Sequence, residues 1–205
     1  SHVGSMGGLM AVKKGLCHLA GSHLLDTSDG SYNTSYIKRY LPDFQGKNQL
    51  KLINLVFRDQ GLILPAGNPK GIKGIADLAR EDITLINRKG GSGTRLLMDY
   101  RLKELELDPS RINGYENEEF THMAVAVAVL SGSADVGLGI FAAAMALGLE
   151  FIPVVTEQYD IVVPRPTFEN KNFGILLDII RSSKFKKRVE AMGGYSTQKT
   201  GHIWN

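Results

Sequence analysis

The chain has 205 residues, of which 43% are hydrophobic and 22% charged, with a formal net charge of +3 at pH 7. That length accommodates one ordinary domain or two small lobes, and that composition excludes a disordered chain. The charge is too small and dispersed to argue for direct nucleic-acid contact, and a single cysteine, Cys17, excludes an internal disulfide and any cysteine-based zinc cluster. No apolar run approaches the length of a membrane span, and no charged-then-apolar signal segment opens the chain. The first residues, "SHV", are tag or native sequence, so that absence decides nothing about location; the expectation is cytoplasmic, with an extracytoplasmic location as the alternative if a signal segment precedes this stretch.

In chain order, "GGLMAVKKG" (7–15) has the pattern of a short amphipathic helix. "LCHLAGSHLL" (16–25) has that of a buried strand with a polar rim, which makes Cys17 a buried inert thiol. "DTSDGSYN" is a turn-rich loop, "TSYIKRYL" a helix, and "QLKLINLVFRDQGLILPAGNP" (49–69) one or two extended segments closed by Pro65 and Pro69. A short helix at "IKGIADLAR" and a buried strand at "DITLINR" follow; the strand turns into a helix running to about Leu107. After a polar connection come a helix in "MAVAVAVLSG", a strand in "ADVGLGI", a helix in "FAAAMALG" and a long extended segment in "LEFIPVVTEQYDIVVPR". The last part predicts two helices broken near Ser182 and then a polar tail; the basic run "KFKKR" (184–188) lies on a solvated helix face. Alternation of this kind predicts an α/β architecture with mostly parallel sheets flanked by helices.

Two extended segments carry polar residues in mid-strand, Phe57–Gln60 and Glu157–Asp160, as a chain does where it leaves one core for another. The expected organisation is therefore two lobes, 1–59 with 157–205 and 60–156, with strand-to-helix loops facing a shared cleft.

The chemistry concentrates in "NRKGGSGTRLLMDYRLKEL" (87–105). A helix starting there exposes amides without carbonyl partners, glycines 90, 91 and 93 let a ligand approach them, and the peptide dipoles favour an anion. Gly91, Ser92, Gly93, Thr94 and Arg95 are the candidate contacts; the competing reading is a plain helix cap by Ser92 or Thr94. Neither a Walker A motif nor a dinucleotide fingerprint fits. A second cluster, Gly4 to Gly8, opens the first helix, with Ser5 and Met6 as candidates, and Ser22 and His23 stand where a strand emerges. Arg58 and Tyr159, at the two crossings, complete the candidate set: charge from Arg58 or Arg95, and a hydroxyl from Tyr159 that could otherwise lock the crossover.

Asp135 reads as a loop-holding acid, and His23 and His122 lack ligand partners at helical spacing, so no metal site and no cofactor are expected. Ser22, His23 and Asp26 offer the residue types of a hydrolase, but no Gly-x-Ser-x-Gly elbow supports one, and the fragment is read as non-catalytic.

The segments "GSMGGLMAVKKGLCHLAGSHLLD", "SYN", "VFRDQGLILPAGNPKGI", "INRKGGSGTRLLMD", "INGYENEEFTHMAVAVAVLSGSADVGLGI" and "LEFIPVVTEQYDIVV" occur in this order. Together they resemble the periplasmic-binding-protein-like domain associated with helix-turn-helix regulators and molybdopterin-biosynthesis-type proteins. More distantly, they are similar to tungstate and molybdate solute-binding proteins. The resemblance, over about Gly4 to Val163, implies a two-lobed type II binding fold that closes around a small anionic ligand, with tungstate or molybdate the first choice. It implies a sensor part of a longer regulatory or cofactor-biosynthesis protein with an attached module, or alternatively the receptor of an ABC transporter. Such folds begin with a strand before the first Gly-Ser loop, which is expected to be missing here. A homodimer, no membrane contact and no direct nucleic-acid contact complete the expectations.

Overall fold

The computed structural model describes residues 3–44 and 49–204, so the first two residues of "SHV" lie outside the described residues. The chain divides into two compact units, Val3–Arg58 with Glu157–Asn205, and Asp59–Thr156. Both divisions fall inside strands of 15 residues, β2 (Leu50–Leu64) and β6 (Glu150–Pro164). Phe57–Gln60 and Glu157–Asp160, the polar interruptions of the sequence, are where the chain passes between units.

In the first unit, α1 (Gly4–Lys13) buries Ser5, Gly8, Leu9 and Val12, a spacing that keeps one face of a helix inward. Gly8 lets α1 lie close on β1 (Ala20–Ser22), because a Cβ there would stand 3.0 Å from that of Ala20. The helix stops at Gly15, whose φ of 65° is left-handed. The amides of Gly15 and Leu16 turn back onto the carbonyls of Val12 and Ala11, a Schellman closure. After a turn-rich loop comes α2 (Thr34–Tyr40).

The second unit holds β3 (Leu85–Arg88), α3 (Gly93–Glu104), β4 (Glu118–Glu119), α4 (His122–Leu130), β5 (Val136–Ile140) and α5 (Phe141–Ala146). Ile63, Ile86, Val125, Ala126, Val129, Ala143, Ala144 and Leu149 form its core. Its helices use alanine and valine because the sheet beneath them lacks side chains: a Cβ at Gly137 would overlap Val125. Helix α3 ends at Glu104 rather than near Leu107, because Glu106 adopts φ 55° and its amide and that of Leu107 close the helix on Lys103 and Leu102. "IKGIADLAR" forms one 3₁₀ turn, Ile75–Ala79.

The chain returns to the first unit through β6, then α6 (Arg165–Phe168), α7 (Lys171–Arg181) and α8 (Ser183–Glu190), with the break at Ser182. Phe173 and Ile180 of α7 cover Ile53, Ile161 and Val163. The tail is not simply polar: β7 (Tyr195–Ser196) and β8 (Ile203–Trp204) pair with β2 at Phe57–Arg58 and Leu52–Ile53.

The architecture is α/β, but the expectation of mostly parallel sheets needs correction. Parallel pairing is described for β3 with β4 and with β5. β1 with β6, and β2 with β5, β7 and β8, are antiparallel. The helix–strand alternation predicted parallel neighbours; the crossing strands that serve both units, and the distant tail that pairs with one of them, meet theirs head to tail. The strand expected over "LCHLAGSHLL" is only three residues long. Cys17 lies outside it and is partly exposed, so it is not the buried thiol the pattern implied.

Candidate functional site

Each unit carries its own cluster of polar groups at the residues singled out by the sequence. In the first unit, Ser5 lies in the opening turn of α1, buried, and its Oγ accepts the backbone N–H of His23 at 3.2 Å. The Ser5 hydroxyl proton therefore remains available to donate. Met6 is partly buried in the same turn, where Gly4, Ser5 and Met6 supply amides that no carbonyl of the helix can reach. Ser22, at the end of β1, is wholly buried, and its Oγ has no hydrogen-bond partner.

Around these groups sits a charged core. Glu157 is 1% exposed; one carboxylate oxygen accepts from Arg58 Nε and the other lies 2.7 Å from His23 Nδ1. Burial alone would raise the pKa of Glu157, yet Arg58 and His23 outweigh it and lower that pKa to about 2. The Arg58 guanidinium lies 4.5 Å over the ring of Tyr159, which stacks on His23 with ring centres 5.3 Å apart. Gly21 is required beside it, since a Cβ there would overlap the Tyr159 hydroxyl.

In the second unit, Ser92 is the N-cap of α3, and its Oγ accepts the amide of Arg95 at 3.1 Å. The cap reading is therefore true of Ser92. It does not extend to Thr94, 1% exposed, whose Oγ1 has no partner. Gly91, with φ 80°, makes the exposed turn before the cap, and Gly93 begins the helix. The amides of Gly93 and Thr94 have no carbonyl within reach in α3. One further amide of the loop is already engaged: Gly90 N–H donates to Glu118 Oε1 at 3.0 Å. That same oxygen accepts from Arg95 Nη1 at 2.9 Å, while Arg95 Nε donates to Asp99 at 3.0 Å and the guanidinium covers Tyr115 at 4.2 Å.

The two candidate arginines are thus both engaged inside the protein, Arg58 by Glu157 and Arg95 by Asp99 and Glu118. Both guanidinium charges are therefore matched by carboxylates of their own unit. Sequence reasoning did not foresee these partners. The Arg95–Asp99 pair had a readable signal, its spacing of four on a helix; Glu157 was noticed only as a crossing residue.

The remaining nominees have other roles. Asp135 holds loops as expected, accepting from Thr84 N at 2.8 Å and Lys70 Nζ at 2.9 Å. His122 opens α4. Asp26 accepts the amide and hydroxyl of Ser28, and His23 Nδ1 faces Glu157, so Ser22, His23 and Asp26 form no relay. Among the described residues no group of three or more His, Cys, Asp or Glu is placed to hold a metal ion. None of the described helices is long and apolar enough to cross a membrane.

Two α/β units joined by two long crossing strands are the architecture of a two-lobed binding-protein fold. The chain belongs to the family described as the PBP superfamily domain, whose model matches residues 1–181. The uncharacterised protein YvgK of Bacillus subtilis (strain 168) is 39% identical over 203 residues, 98% of this chain and 63% of that protein. The chain thus spans less than two thirds of that relative. Among solved structures, the tungstate ABC transporter structure from Geobacter sulfurreducens matches with a TM-score of 0.64 at 15% identity, over 92% of this chain and 83% of that one. A putative phosphate ABC transporter substrate-binding protein with bound phosphate, from Clostridium perfringens, gives 0.64 at 13% identity, over 93% and 83%. At such identities the likeness establishes the fold alone.

Proposed function

We propose that this chain is a non-catalytic binding domain that captures a small oxyanion of the tungstate, molybdate or phosphate type through neutral donors. The observation that carries the reading is the pair of buried hydroxyls without partners, Ser22 Oγ and Thr94 Oγ1, one in each unit and each beside a glycine-rich helix start. A buried hydroxyl left unbonded costs about 1–3 kcal/mol, which an anion accepting its proton would recover. The first amides of α1 and α3 add donors whose dipoles favour negative charge. Capture by hydroxyls and amides needs no arginine, consistent with Arg58 and Arg95 being matched internally.

The receptor of an uptake system is favoured over the sensor part of a regulator. Transport proteins for tungstate and phosphate share this fold, whereas the regulatory and molybdopterin connections rest on motif resemblance. An extracytoplasmic location accompanies the receptor role. Nothing in the hydrogen bonding of Ser22 supports a nucleophile, so catalysis is not part of the proposal.

Thermal unfolding in the presence of tungstate, molybdate, phosphate and sulfate tests it. A ligand that binds only the folded chain adds about 2.7 kcal/mol at a hundred times its Kd, a rise of several degrees in Tm. A rise with at least one of the four is expected; four flat titrations would remove the oxyanion reading.

A further inference from the structure

We infer that Asn33 and Asp160 are positioning residues for the Ser22 donor, with Asp160 orienting the Asn33 amide and Asn33 fixing the Ser22–Leu24 segment. The inference rests on the proposed anion-binding role of the first unit and adds to it the device that aims one donor. Asn33 stands at the N-cap position of α2, where an asparagine ordinarily caps, yet its side chain makes no capping bond there. It reaches away from the helix instead. Its Oδ1 accepts the amide of Leu24 at 2.8 Å, its Nδ2 donates to the carbonyl of Ser22 at 3.2 Å, and its own amide donates to the carbonyl of Leu24 at 2.8 Å. One wholly buried residue thus brackets His23 on both sides, in the place a neighbouring strand would take. Asn33 holds φ 67° to do so, a conformation asparagine tolerates better than most residues.

Asp160 decides which way the amide points. It is wholly buried and faces Ser22 across β1 and β6. Its carboxylate accepts from Asn33 Nδ2 at 2.8 Å, Gln158 Nε2 at 2.6 Å, Asn54 Nδ2 at 3.1 Å and Trp204 Nε1 at 3.1 Å. A carboxylate can only accept, so Asn33 must turn its NH₂ toward Asp160 and its oxygen toward Leu24. Reversing the amide would break all three of its side-chain bonds, to Leu24, Ser22 and Asp160. The backbone on either side of His23 is then fixed, and with it the direction in which the Ser22 side chain leaves β1.

The test compares two side chains that touch Asp160, only one of which touches the segment. Asn33→Gly removes both side-chain bonds of the bracket, keeps the backbone one to Leu24 and does not strain the positive φ; Asn54→Ala removes a donor from Asp160 and leaves the 22–24 segment alone. Asn33→Asp, which keeps the acceptor for Leu24 but sets a second carboxylate against Asp160, is the second probe of the bracket. Calorimetric affinity for tungstate and for phosphate is read at a temperature where circular dichroism shows all variants folded, together with hydrogen exchange at the Leu24 amide. Asn33→Gly is expected to weaken anion binding at least about tenfold and to speed Leu24 exchange by a similar factor, with Asn33→Asp behaving alike. Asn54→Ala should leave both within about threefold of the parent even where its Tm falls as far. Equal affinity losses for Asn33→Gly and Asn54→Ala, or unchanged affinity and Leu24 protection in Asn33→Gly, would overturn the inference. Should the parent bind neither anion, the functional reading fails, and Leu24 exchange alone still decides whether Asn33 holds the segment.

Discussion

Arg58, in strand β2 of the first unit, and Arg95, in the first turn of α3 of the second, are both paired arginines but are not equivalent. Each guanidinium lies over a tyrosine ring, Tyr159 at 4.5 Å and Tyr115 at 4.2 Å, and each is paired with carboxylate. The Glu157 side chain is 2% exposed, whereas those of Asp99 and Glu118 are 41% and 35% exposed. The first pair is a buried one in which each charge depends on the other; the second is a half-solvated network that water can replace in part. An arginine near a binding loop is therefore no measure of charge available to a ligand: what counts is which carboxylate already holds it.

The comparison breaks most sharply on truncation. Arg58→Ala takes the guanidinium from the buried, charged Glu157 and leaves His23 beside it, and is expected to lower unfolding free energy by about 3–5 kcal/mol in urea titrations. Arg95→Ala should cost about 1 kcal/mol or less, because its carboxylates remain solvated. Equal losses would mean the two clusters are energetically alike.

Acid separates the units next. With its folded pKa lowered to about 2 from an ordinary 4.5, Glu157 contributes its stabilisation in full above about pH 4.5. That stabilisation is lost as pH falls through about 2, since the unfolded chain takes up the proton first. The contribution is about 3 kcal/mol by linkage and should appear as a fall in Tm between about pH 5 and 2 that is much shallower in Glu157→Gln. A parent profile no steeper than that of the variant would contradict the buried pair.

Within the second unit, Ser92 and Thr94 divide cap from ligand donor. Ser92→Ala should cost about 1 kcal/mol of stability through the lost cap, while Thr94→Ala, in which the gain from deleting an unbonded hydroxyl offsets the loss of a buried methyl, should change stability by less than about 0.5 kcal/mol. Chemical denaturation of the two variants reads the difference, and a reversed order would assign the cap to Thr94. The smallest effect concerns salt. If the donors are neutral, anion affinity should change by no more than about threefold between 50 and 500 mM sodium chloride, and a steep decline would instead implicate an unmatched arginine.

Much of the fold was legible in the sequence because it is encoded locally. The small alanines and valines of "MAVAVAVLSG" and the polar break "RDQ" in an apolar strand each describe their own few residues, and they located α4 and the first crossing. What was not legible depends on residues far apart. The tail was read as polar because β7 and β8 have no periodicity of their own; they exist by pairing with β2 more than a hundred residues earlier. For the same reason Arg58 looked free for a ligand: its partner Glu157 lies 99 residues away, and no local pattern connects them. Asn33 carried a misleading local signal, standing at a helix start where a cap would explain it fully. The unbonded state of Ser22 and Thr94 had no sequence signal at all, since it is fixed by what surrounds them rather than by their neighbours in the chain.

The claim that neutral hydroxyls capture the anion is tested most directly by titration calorimetry of tungstate and of phosphate against the parent, Ser22→Ala and Thr94→Ala. Each replacement should weaken the anion that binds the parent by about tenfold or more while Tm in its absence is not lowered by more than about a degree or two, since only an unbonded hydroxyl is lost. Undiminished affinity in both variants would show that the buried hydroxyls do not touch the ligand and would contradict the account.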